Sequence, residues 1–137
     1  MALTAPRNTP ERIGTIHAHP VAADTVIHLG ALVALNAGYL EPGATDTGLV
    51  AVGRAEDSVD NTGGAAGDME APVKHGVFKF ANSAAADEIT QAEVGADCYI
   101  VDDATVAKTD ATATRSRAGA VVAVDSDGVW VQIGLGL

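Results

Sequence analysis

Apolar residues in this chain come in short valine-rich runs broken by Gly, Asp and Pro, and the clearest pattern has a period of two. "AGAVVAVDSDGVWVQI", residues 118–133, holds two such runs joined by Asp125-Ser126-Asp127-Gly128. Alternate side chains of a strand point to opposite faces. Val129, Val131 and Ile133 therefore share one face, and Trp130 and Gln132 the other. The Asp-Gly pair is expected to supply the left-handed position of a tight hairpin. "MEAPVKHGVFKFANS", residues 69–83, repeats the signal. Val77 and Lys79 face one way, and Phe78 and Phe80 the other, into the core. Pro72 marks an edge or a bulge.

The remaining runs are "IGTIHAH", "TVIHL", "ALVALNA", "GYLEPG" (ending in a Pro42-Gly43 turn), "GLVAVGRA", "CYIVDD" and "TVAKT". Turn signals fall roughly every eight to twelve residues, which predicts an all-β fold, a small β-barrel or sandwich. One short helix is expected near residues 90–95, where Thr90 and Glu93 have capping-box spacing and Gly95 ends the turn. Residues 1–12, with Pro6, Pro10, Arg7 and Arg12, read as an extended N-terminal arm. Residues 13–133 form a single β-rich domain, and 134–137 ("GLGL") a loose C-terminal tail.

Of the 137 residues 47% are hydrophobic but only 4% aromatic, so the core must be built from small side chains. A formal charge of −10 argues against nucleic acid, whose phosphates need clustered Lys and Arg. The tightest basic cluster, Arg115-Ser116-Arg117, reads as a solvated loop. One cysteine, Cys98, excludes an internal disulfide and fits a reducing cytosol. The first residues lack the apolar core of a signal peptide, and no run approaches the ~18 apolar residues of a membrane span.

No arrangement of residues points to catalysis. "EDSVDNTGGAAGD", residues 56–68, carries four carboxylates and three glycines. A calcium loop starting at Asp57 would place Val59 at its third position. One starting at Asp60 would place Gly64 at its fifth, so neither register works. Without lysine the stretch is no phosphate loop either, and it reads as an acidic connection between strands. Its tip either faces solvent or contacts a neighbour. His17 and His19 share a strand face, a pair that cupins use for metal. Pro20 interrupts that strand, nothing in the spacing recommends His28 or His75 as a further ligand, and outer-face placement is expected. Cys98 reads as a core residue and Asp102-Asp103 as a strand end. Trp130 reads as an anchor in the core or at a subunit contact. The chain is therefore expected to be no enzyme, with no catalytic residues, metal or cofactor.

"AVGRAEDSVDNTGG" (51–64), "HGVFKFANS" (75–83), "GADCYIVDDATVAKT" (95–109) and "AGAVVAVDSDGVWVQI" (118–133) together resemble the capsid cement, or head decoration, proteins of tailed phages and prophages. "RNTPERIG" near the start fits the same pattern, and the likeness covers nearly the whole chain. The resemblance implies a virion structural protein on the outer capsid surface, made in the bacterial cytoplasm. Its partners would be the major capsid protein and its own copies, as a homotrimer, without nucleic acid or membrane. The expected contact arm comprises Arg7, Asn8, Thr9, Pro10 and Arg12. Two alternatives remain: a cupin-like β-barrel binding a metal or small ligand through His17 and His19, and a tail or baseplate component.

Overall fold

The computed structural model describes residues 1–137. It has twelve strands: β1 Ile16–Pro20, β2 Val26–Ile27, β3 Leu32–Asn36, β4 Tyr39–Pro42, β5 Val50–Ala55, β6 Val59–Asp60, β7 Glu70–Lys74, β8 Gly76–Phe80, β9 Asp97–Ile100, β10 Val106–Ala107, β11 Arg117–Asp125 and β12 Gly128–Ile133. They form a five-stranded sheet β1-β7-β5-β3-β4, a second β10-β9-β11-β12-β8, and a ribbon β2-β6. The fold is all-β and sandwich-like, without a closed barrel. Each large sheet curls until its edges meet at a single bridge, Val21 with Leu40 in the first and Ala81 with Thr105 in the second.

Burial on both sides of the first sheet organises the molecule. Leu32 and Ala34 of β3 belong to a core shared with the second sheet. Val33, between them, belongs to a second core with Ile27 and Val59 of the ribbon. The same division separates Ala51 from Val52 on β5, where Val52 is the extra residue of a bulge against β3. A bulge re-aims the side chains that follow, and Ala55 thus stays in the second core. Sheets buried on both faces read as continuous apolar runs, as "LVAL" does.

The hairpin of residues 118–133 forms with the expected faces. Val129, Val131 and Ile133 are fully buried, as is Phe80 nearly so, whereas Val77 is exposed. Its turn works differently from expectation. Asp125 pairs with Gly128, and none of residues 125–128 has a left-handed φ. Gly128 is needed because a Cβ there would lie 2.8 Å from the Phe80 carbonyl oxygen. The left-handed hairpin turn is instead Ala37-Gly38, with φ of 50° and 89°, between Asn36 and Tyr39.

The short helix expected near residues 90–95 is present as a single 3₁₀ turn, Gln91–Glu93, beside another at Ala85–Asp87. The Glu93 carboxylate accepts both the N–H and the hydroxyl of Thr90, and those bonds hold its pKa down at about 2. Gly95, at φ 90°, ends the segment within one turn. Pro42-Gly43 is no turn. Pro42 closes edge strand β4, and the Gly43 N–H donates to the Leu32 carbonyl. Pro72 lies on an inner strand, level with the end of β5, where its carbonyl accepts from Glu56. The alternating run of residues 69–83 splits at His75 into strands of different sheets.

Residues 1–12 are exposed throughout and contain no strand. Residues 134–137 fold back instead of trailing: Gly134 is buried, and Arg117 Nη1 donates to the Leu137 carbonyl.

Gly53 tests the central packing. Its φ is 150°, and a Cβ there would lie 2.1 Å from the Lys74 carbonyl oxygen. Gly53→Ala is expected to lower unfolding free energy by about 3 kcal/mol, measured as the midpoint and slope of urea denaturation.

Candidate functional site

The structure brings together three histidines that the sequence left apart. On β1, His17 pairs with Val73 and His19 with Ala71 of β7. Directly paired residues share a face, and Ala71 and Val73 belong to the second core. Both histidines therefore point inward, half-buried, while Ile16 is 53% exposed. This reverses the expected outer-face placement. Alternation cannot say which face of an edge strand is covered, because that depends on β7, more than fifty residues away in sequence.

His75 follows Val73 by two residues and so continues on the same face. Its ring stacks on His17 with centroids 6.0 Å apart and planes 6° from parallel. The three imidazoles line a cavity of about 240 Å³ with Val52, Val73, Leu135 and Leu137. His28 lies elsewhere, exposed after β2. A bond of 3.4 Å between His75 Nε2 and the Gly14 carbonyl ties the arm's root to this site. Burial, and then the neighbouring His17, hold the pKa of His19 below its ordinary value. No group of three His, Cys, Asp or Glu side chains converges as metal ligands do.

Residues 56–68 are an ordered part of the fold, and most of their side chains are exposed. They contain β6, which pairs with β2, and Val59 and Asn61 are buried. The Asn61 amide donates to the carbonyls of Ala22 and Ala65 at 2.9 and 3.1 Å. Asp60 accepts the Thr62 hydroxyl and N–H, which lowers its pKa. Asp57 and Asp68 accept the N–H groups of Ser58 and Ala65. These carboxylates shape the backbone rather than surround an ion.

The remaining candidates are also engaged within the chain. Arg115 pairs with Asp87 at 3.2 Å and Arg117 with Asp97 at 2.8 Å, while Ser116 between them is buried. The expected solvated basic loop is thus a structural seam. Cys98 is fully buried, and burial pushes its thiol pKa up to about 12, which leaves it inert as a nucleophile. Asp102 follows β9 and accepts the Ala104 N–H. Trp130 stands on the outer face, not in the core, and its indole N–H donates to Asp125 at 2.7 Å. Lys79 lies 5.8 Å from its ring centroid and pairs with Asp127, which raises the lysine's pKa.

Arg7, Asn8, Thr9, Pro10 and Arg12 are all exposed on the arm. The arm has two of the chain's 8 basic residues and one of its 18 acidic ones, so it is slightly basic beside a strongly acidic body. No helix is long and apolar enough to cross a membrane.

The chain matches no protein-family model, curated protein or solved structure in the comparisons made.

The folded state disfavours the charged form of His19, so folding becomes less favourable when the unfolded chain takes up that proton. Stability is expected to be full above the ordinary value of 6.5 and to fall as pH drops below it, before the carboxylates titrate. A thermal melting series across that range checks this, and His19→Gln is expected to flatten the fall.

Proposed function

We propose that this protein is a capsid cement protein: it binds the outer surface of an assembled phage head and braces contacts between major capsid subunits. The observation that carries the reading is the exposed, slightly basic arm on a compact acidic β-sandwich. Such an arm gains order on a partner rather than on its own domain, and an extended segment can add to a sheet edge. Its charge suits an acidic neighbour, either the capsid or another copy of this chain.

The body contributes stiffness and solubility. Cross-linking sheet bridges and a doubly buried sheet make a rigid unit, and a charge of −10 suits a surface turned away from packaged DNA. The sequence resemblance supports the same reading and adds a homotrimeric arrangement between capsomers. Many copies on a symmetric shell convert weak single contacts into a strong brace.

Deleting residues 2–12 is expected to leave the body folded and to reduce capsid occupancy at least tenfold, an effect on the order of 1.4 kcal/mol or more per site. Quantitative gels of purified particles read the occupancy, and heat release of DNA reads the reinforcement. Unchanged occupancy would remove the arm from the mechanism. Absence of the protein from purified particles would overturn the cement reading.

A further inference from the structure

We propose that the hollow lined by His17, His19 and His75 is a binding site for a small carboxylic acid with an apolar tail. The assignment is independent of the cement reading and rests on the composition of the walls. Four lining residues are aliphatic, Val52, Val73, Leu135 and Leu137, and the only polar side chains are the three imidazoles. None of the chain's 18 Asp and Glu side chains lines the cavity, although the protein carries a charge of −10, and the main-chain end at Leu137, which borders it, is held by Arg117.

The surrounding elements confirm that the imidazoles set its polarity. On β7, Glu70 and Lys74 alternate with Ala71 and Val73 and so face the other side of the sheet. On β5, Arg54 lies 4.3 Å over the Phe78 ring, away from the cavity, and pairs with Glu56. Arg117 borders the neighbouring hollow, where it is held by Asp97 and the Leu137 carbonyl. Histidine nitrogens are thus the groups that meet a ligand. Of the three rings only His75 has a hydrogen bond to the protein, a long one at 3.4 Å.

This chemistry selects among ligands. A neutral imidazole donates one hydrogen bond, and a protonated one donates two. A carboxylate takes such donors and favours the charged ring beside it, while an aliphatic or aromatic tail covers the valines and leucines. A phosphate would turn unsatisfied oxygens onto apolar walls, which is costly. A metal needs three converging ligand atoms, and these side chains do not converge on one point. The volume is below the roughly 300–1,000 Å³ of drug-sized sites, which sets the ligand at the size of hexanoate or benzoate. Binding then takes up a proton, so affinity rises as pH falls through the histidine range.

The test is a titration of the full chain with hexanoate, followed by NMR of the histidine ring protons. It is run at roughly pH 5.5 and roughly pH 8, either side of the ordinary histidine value. Saturable shifts of His17, His19 and His75 are expected, with affinity about tenfold higher at the lower pH, since proton uptake is linked to binding. His17→Gln/His75→Gln should reduce that pH dependence, and adding His19→Gln should abolish it. Leu135→Asp, on an exposed position that does not threaten folding, should weaken hexanoate binding. Hexanol binding as tightly as hexanoate, or phosphate shifting the rings equally, would overturn the assignment. So would the absence of saturation, or Zn²⁺ shifting the rings where hexanoate does not.

Discussion

Everything else in the fold depends on β3 being buried from both sides. Leu32 and Ala34 face the second sheet, and Val33 faces the ribbon core. An ordinary antiparallel sheet keeps one wet face and shows strict alternation. Here three layers meet within a chain of 137 residues, and the two cores are built mostly of Ala, Val, Leu and Ile. Within the middle sheet, the Lys74 carbonyl of β7 occupies the place a Cβ would take at Gly53. The two phenylalanines, on β8, pack in the same core as Leu32 and Ala34.

Local patterns were legible in the sequence where the partner strand is a neighbour in the chain. Residues 118–133 form their hairpin because both runs and the turn lie together, and the faces of Phe78 and Phe80 follow from alternation alone. What the sequence concealed was decided by distant segments. His17 and His19 turn inward because Ala71 and Val73 lie opposite them. The acidic stretch 56–68 docks because residues 21–29 offer backbone partners: the Ala22 carbonyl takes the Asn61 amide, and Leu29 N–H meets the Ser58 hydroxyl. His75 marks a change of sheet within one uninterrupted pattern, and a period of two carries no sign of it. The histidine cluster was invisible for the same reason, since "HAH" and "VKH" become neighbours only through the β1–β7 register.

The periphery contrasts with this centre. Edge strand β1, the root of the arm and residues 134–137 meet around the histidine cavity; β1 has a full partner strand on one side only, and the arm is exposed throughout. Arg117 secures the Leu137 carbonyl, and His75 meets Gly14 at the root of the arm. Cooperative cores open last, and segments with few buried contacts open first. The cement role proposed above would use this division: a stiff body that transmits load, and an exposed segment free to order on its partner. The histidine cavity lies at the junction of the two, lined from β1, β5, β7 and residues 135 and 137.

Native-state amide hydrogen exchange tests the division most directly. The amides of β3 and β5 are expected to exchange only through global unfolding and to share one free energy. Residues 1–12 should exchange at the rate of free chain, with β1 and 134–137 opening below the global value. Protection in β1 equal to that in β3, or early local opening of β3, would contradict the doubly buried sheet as the centre of this fold.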